Sequence, residues 1–505
     1  MRIYRLLSLI FILSVSADLF SQTEPLYISY GKNSIPLLRD LLSIPNDAHY
    51  PLDIEKNVKW CENEFSKRGF SISRIDTKTV PLLLAEKRCN IENAKTVLIY
   101  LQIDGQPVDS NFWYQKDPYK AVLKEKSKDG DWEKVSWNRL EIDEPDPELR
   151  IFARSTADSK GAVVMFLTAL DIMENLGENA DFHMKVIMDF EEELGSPHLP
   201  QAVKDNIRIL KSDMLIIFDG PRHLINEPTL SFGARGIIDV TIKVFGPYFP
   251  QHSGHYGNYV PNPALRMSKL LSSMKDDYGR VTIPGFYKGI NISEQVKKVL
   301  RAVPDDERNI KNKLGIASAD RVGKNYQESL QYPSLNIRGM LSGWVGEKTR
   351  TIVPSSATVE LDIRLVLESD PKRLIRLVKE HIIDQGYHIV VDKPTIIERV
   401  KYERICKFYA NTSYGAYRTD FNSDVGKWLE KALVKAFGKN PIMQRTSGGS
   451  IPISPFVIEL GIPAVGVPTV NRDNNQHSPN ENIRLGNYFD GIKTIHAILT
   501  EPLSN

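Results

Sequence analysis

The sequence predicts an α/β protein: a large, mostly parallel sheet covered by helices, interrupted by a smaller ferredoxin-like α+β domain. Three observations carry this. Up to about residue 220, apolar runs alternate with helical patterns as β-α-β-α-β, the order that gives parallel strands. From about residue 230 the order becomes β-α-β-β-α-β, the ferredoxin-like arrangement. Beyond residue 420 the α/β pattern resumes, so the predicted division is 22–229 with 420–505 for the larger domain and 230–419 for the insert.

The chain opens with a basic stretch, Met1 to Arg5, then an apolar run from Leu6 to Val15 and small residues up to Ala17. This predicts a signal peptide over residues 1–21, cleaved after Ala17 or Ser21, and a soluble mature protein that is secreted or periplasmic. The apolar run is too short to span a bilayer, so no membrane anchor is expected. A net charge of +2, from 65 Lys and Arg against 63 Asp and Glu, gives no footing for nucleic acid. The three cysteines are far apart and lack a CxxC spacing, which suggests neither a disulfide scaffold nor a cysteine zinc site; Cys61 and Cys89 could pair if the protein is exported.

An amphipathic helix is expected over 54–70 and a buried strand over 95–101, running into Gln102-Ile103-Asp104-Gly105. Residues 109–150, rich in charge, Trp and Pro, read as a long surface insertion. A helix follows over 163–176, with Asp158 or Ser159 as its cap. The apolar run Met184 to Phe190 breaks off in Glu191, Glu192 and Glu193, and Leu194-Gly195-Ser196-Pro197 turns the chain away. A helix to about Leu210 and a strand over 214–218, ending at Asp219, complete this part. In the insert, strands are expected over 237–245, 333–343, 357–367 and 388–391, with helices over 262–274 and 370–385; residues 275–332 carry no assignable pattern. A helix over 423–437 and a strand over 463–467 follow.

Five loops after presumed strands thus carry Gln102 with Asp104, Asp158, Glu192 with Glu193, Asp219, and His477. In α/β sheets such loops gather at one edge, where ligands bind. Carboxylates joined by an imidazole suit Zn²⁺, Mn²⁺ or Co²⁺ better than an organic cofactor. Two adjacent glutamates can divide the work, one holding metal and the other moving a proton. Residue by residue, plainer readings exist: Asp158 as a cap, Asp219 as a turn residue, His477 as a loop histidine, Arg364 as a surface ion-pair partner.

Eight short stretches in order resemble the co-catalytic di-zinc exopeptidases, the family of carnosine-type dipeptidases, aminoacylases and succinyl-diaminopimelate desuccinylase. They are IDGQPVD (103–109), ARSTADSKG (153–161), EELGS (192–196), FDG (218–220), QHSGHYGNYVPNPA (251–264), RTIVPSSATVELDIRLV (350–366), RTSGGSIPI (445–453) and QHSPNE (476–481). The layout is most similar to the dipeptidase branch. The resemblance implies a three-layer catalytic domain, an inserted lid and dimerisation domain, a homodimer, and two divalent ions, Zn²⁺ before Mn²⁺ or Co²⁺. It implies that Asp158 bridges both ions, that Glu193 and His477 complete one position, and that Asp219 belongs to the other. Glu192 would be the general base, Asp104 would orient a ligand histidine, and His252 would reach into the partner subunit's site. Thr351, Arg364 and Ser450 match positions that hold a substrate carboxylate, a task suited to a guanidinium fork. The implied activity is hydrolysis of dipeptides or N-acyl amino acids by metal-activated water.

Gln102 departs from the pattern, since the family's motif has a ligand histidine there. An amide oxygen is neutral and hard where zinc prefers imidazole nitrogen. Ser159 also departs, standing where an acidic or amide residue is common. Gln102 is the only strong support for a competing expectation: a catalytically weakened relative that binds peptide or metal.

Overall fold

Strands buried on both faces read as continuous apolar runs, and three such runs make the centre of the larger unit. Thr96–Gln102, His183–Asp189 and Met214–Ile217 are buried almost end to end. The computed structural model describes residues 25–503, so the expected signal peptide, residues 1–21, lies outside the described residues.

The main sheet runs Ser71–Ile75, Leu82–Lys87, His183–Asp189, Thr96–Gln102, Met214–Ile217, Ala464–Gly466, Thr229–Ser231, Ile442–Gln444. It is parallel only at its centre, from His183–Asp189 to Ala464–Gly466, with antiparallel neighbours on both sides. The expectation of a mostly parallel sheet is corrected to a mixed one. One face packs under the helices Pro51–Lys67, Lys160–Leu176, Asp424–Phe437 and Leu485–Thr500, in one apolar core. The Lys160–Leu176 and Leu485–Thr500 helices approach closely at Gly491, where a Cβ would stand 2.3 Å from the Met165 sulfur. On the other face Tyr100 meets Phe456 edge-on.

Residues 109–150 are not a plain surface excursion. They contribute Val122–Lys126 and Trp132–Lys134 to a four-stranded sheet with Arg150–Phe152 and Asn482–Arg484, and bury Leu123, Leu140 and Leu149. The strand that precedes Asp158 therefore belongs to this second sheet.

The smaller unit comprises Gly233–Arg418 and Gln444–Ser454; residues 444–454 thus group with the insert and not with 420–505. Its sheet runs Ser334–Leu341, Ser356–Leu365, Gly236–Phe245, Ile405–Tyr414, His388–Val390. The expected last strand, 388–391, occupies only the edge. The strand that pairs with Gly236–Phe245 is Ile405–Tyr414, whose polar Lys407, Asn411, Thr412 and Ser413 dilute its alternation. With it in place, the first four strands have the ferredoxin-like order. Residues 275–332 hold three short helices, Glu294–Ala302, Glu307–Leu314 and Tyr326–Ser329. Among the described residues no helix is long and apolar enough to cross a membrane, and all three cysteines are free thiols, Cys61 buried in the core.

Candidate functional site

Three neighbouring strands deliver side chains to one sheet edge. Gln102 ends its strand opposite Asp189, and two residues on comes Asp104, fully buried. The Asp104 carboxylate accepts the backbone N–H groups of Glu192 and Glu193, each at 3.0 Å. It therefore grips the turn that carries both glutamates, which Gly195 closes at a left-handed φ of 80°. Gly105 is required by close approach, since a Cβ there would lie 2.1 Å from Ser155 Oγ.

Asp158 is fixed from the opposite end of the chain. Buried Glu481 accepts from Arg154 Nη1 at 2.7 Å and from the N–H groups of Ser155, Ala157 and Asp158 at 2.9 Å. A carboxylate is suited to this, being all acceptor. Ser155 and His477 hold left-handed φ values of 62° and 59°, a conformation that L-residues adopt at a cost and that gathers at functional sites. His477 Nε2 lies 3.0 Å from Asp158 Oδ2 and 3.4 Å from Glu193 Oε2. The ligand atoms of Asp158, Glu193 and His477 all lie within 4.8 Å of one another.

Neutral donors steady these groups. Gln106 Nε2 donates to Glu193 Oε2 at 2.7 Å, and Gln476 Nε2 to Asp158 Oδ2 at 3.2 Å. Ser159 does not cap its helix; its hydroxyl lies 2.6 Å from Asp219 Oδ1 and 3.1 Å from Asp158 Oδ1.

Burial, reinforced by mutual repulsion, raises the carboxyl groups. Burial, then Glu193, Asp219, Asp104 and Asp158, raise Glu192 well above the carboxylate range. Glu193 is pushed up to about 8, by burial and then by Asp158. Asp219 is raised to about 6 for the same two reasons. His477 rises to about 9, chiefly through its bond to Asp158. So many crowded carboxylates beside one imidazole need positive charge, and their O and N donors fit a divalent ion.

The Gln102 side chain has neither Oε1 nor Nε2 hydrogen-bonded, although the residue is 1% exposed. An unpartnered buried amide costs about 1–3 kcal/mol, and its oxygen is a donor that an ion can use. Counted from the Tyr100–Ile217 pairing, Gln102 stands level with Asp219 on the next strand.

In the smaller unit, Arg364 Nη1 donates to Ser450 Oγ at 2.7 Å, and Arg364 Nε to Asp362 at 3.1 Å. His252 lies on a two-residue strand paired with Ile352–Val353, and Ser253 N donates to the Thr351 carbonyl at 3.1 Å. His252 and Thr351 are both exposed. Nδ1 of His252 accepts the Gly254 N–H at 3.0 Å, which puts the neutral ring's proton on Nε2. The structure thus groups Asp104, Asp158, Glu192, Glu193, Asp219, His477 and Gln102 in the larger unit. It joins Arg364 to Ser450, and the His252 segment to Thr351, in the smaller one.

Sequence reasoning assigned no role to Gln106, Gln476, Arg154 or Glu481. All four lie inside the motif stretches, and that position was the available signal.

Comparisons with known proteins identify the family. The model of "Peptidase family M20/M25/M40" matches residues 121–501. The Cys-Gly metallodipeptidase of Schizosaccharomyces pombe is 25% identical over 451 residues, covering 87% of each chain. The Beta-Ala-His dipeptidase of Mus musculus is 26% identical over 431 residues, covering 83% of this chain and 80% of that protein. Among solved structures, the M20 family metallo-carboxypeptidase of Sulfolobus solfataricus superposes with a TM-score of 0.76 at 26% identity, covering 93% of this chain and 98% of that one. Human carnosine dipeptidase 1 shares the fold, with a TM-score of 0.74 at 22% identity, covering 95% and 98%. The chain belongs to the peptidase family M20/M25/M40 and is a peptide-bond hydrolase.

Proposed function

We propose that this peptidase is an exported, metal-dependent dipeptidase that cleaves dipeptides or N-acyl amino acids with a free carboxylate. The observation that carries this reading is the meeting of Asp158, Glu193 and His477, from three distant segments, with Glu192 beside them. Those three residues would hold one divalent ion, and Asp219 with Gln102 would hold a second more weakly. A bound ion supplies Lewis acidity and makes water a nucleophile near neutral pH.

The chain's own residues do the rest. Glu192 takes the proton of the attacking water and returns it to the leaving amine. Asp104, through two backbone N–H groups, sets the direction of the glutamate turn. Arg364, Ser450 and Thr351 take the substrate's carboxylate. His252, through its Nε2–H, supports the scissile carbonyl's oxygen in the partner subunit of a homodimer. The protein acts outside the cytoplasm, secreted or periplasmic.

The test is a dipeptide and N-acyl amino acid panel with added Zn²⁺, Mn²⁺ or Co²⁺, alongside metal analysis. Turnover is expected, and Glu192→Ala should lower it by on the order of 10³-fold with metal content retained. A second reading, a weakened member that binds peptide or metal, rests on the unpartnered Gln102 amide. Full metal loading with no turnover under any ion would establish it instead.

A further inference from the structure

One region of the smaller unit gathers two arginines paired with acids and two that are not. Arg364 pairs with Asp362, and Arg418 pairs with Glu368 at 2.7 Å. Two further arginines accompany them, Arg235 beside Arg364 and Asp362, and Arg445 beside Arg418 and Glu368. Arg235, 7% exposed, donates from Nη2 to the Tyr332 carbonyl at 2.7 Å and has an unpartnered Nε. Arg445 donates from Nη1 to the side-chain oxygen of the adjacent residue, Gln331. Among the described residues neither is in salt-bridge range of an acid.

The backbone keeps this group together. Gly233 pairs with Arg418, and Arg364 lies opposite Ile237 on the continuation of the same segment. The Arg445 carbonyl would lie 3.1 Å from a Cβ at Gly233. Repulsion is the consequence: Arg235 is held down to about 10 by burial and then by Arg364, and Arg445 to about 10 by burial and then by Arg418. Four guanidinium groups around two carboxylates leave room for two negative charges. One is the substrate's terminal carboxylate on Arg364 and Ser450, if the proposed function holds. Arg445 sits at the far end of the loop that carries Ser450, five residues away, with Gly448 and the open Gly449 between.

We propose that Arg445, backed by Arg235, is a specificity element for a second anionic group, so that the preferred substrates end in an acidic residue, aspartate or glutamate, with both carboxylates held by this cluster. A flexible guanidinium donates bidentately to a carboxylate and gains little from the isosteric amide.

The test compares Gly-Asp with Gly-Asn and Gly-Glu with Gly-Gln on the metal-loaded full chain. At least one acidic member should exceed its amide by about tenfold or more in kcat/KM, and Arg445→Met should bring that ratio near one, with Arg445→Lys between. A calorimetric titration of the same proteins with succinate and with butyrate reads the cluster without turnover; succinate should bind more tightly to the parent, and lose that advantage in Arg445→Met. Hydrolysis of amide and acidic dipeptides at equal rates overturns this inference and leaves the dipeptidase reading intact. Succinate selectivity without hydrolysis of any dipeptide supports the anion cluster and overturns the dipeptidase reading.

Discussion

The two oxygens of Asp158 look out on different chemistry. Oδ2 meets His477, with Glu193 on the same imidazole nitrogen and Gln106 and Gln476 steadying the two carboxylates. Oδ1 meets the Ser159 hydroxyl, which is shared with Asp219, while Gln102 stands near with an unused amide. The first side offers an imidazole and two carboxylates with their supports in place. The second offers oxygen donors only, one of them neutral. A shared aspartate therefore does not make two equal positions. The side with nitrogen and more charge should fill first and hold zinc best, and the other should favour a harder ion such as Mn²⁺.

The comparison is broken most severely by His477→Ala. It should remove the first ion and lower activity by on the order of 10³-fold, more than the 10–100-fold typical of a supporting residue; metal analysis and steady-state kinetics check both. Glu481→Gln comes next. The amide supplies lone pairs on one atom only and turns its own N–H groups toward backbone donors, leaving Arg154 buried and unpaired. Unfolding in urea should show a loss of about 3–5 kcal/mol, and chelator competition a drop in metal affinity of about 10–100-fold. Gln102→His sharpens the contrast from the other side. By restoring an imidazole it should raise zinc from about one to about two ions per chain and tighten the second by roughly tenfold; two equally tight ions in the parent protein would mean that the two sides are already equal. Gln106→Ala should be mildest, a few-fold loss of metal affinity from one hydrogen bond to a charged group.

Much of this was legible beforehand because the ligands lie in short runs with fixed spacing. Asp104 and the Glu192–Glu193 pair end strands that announce themselves by continuous aliphatic residues. What escaped was set by distant partners. Residues 25–42 form a helix and Leu485–Thr500 another, yet neither was expected, because buried polar residues such as Ser34, Asn487 and Lys493 interrupt their apolar stripes. Ile405–Tyr414 escaped because its outer positions are polar. Ser159 reads as a cap from its position, but its hydroxyl goes to Asp219, 60 residues away in sequence. Glu481 looks like any loop acid until four donors from residues 154–158 converge on it. Its role belongs to tertiary structure, and the same holds for the arginines around Gly233.

The bond network from Glu481 to residues 154–158 also fixes an order of biosynthesis. Domains fold as units while the chain emerges from its N-terminus, and the continuous part of the smaller unit, Gly233–Arg418, is made before residues 455–505 of the larger one. His477, Glu481 and the Leu485–Thr500 helix are translated after the insert, and without His477 and Glu481 the Asp158 loop has neither its imidazole nor its anchor. The first metal position can therefore assemble only after residues 477–481 have been made, although its aspartate was made some three hundred residues earlier.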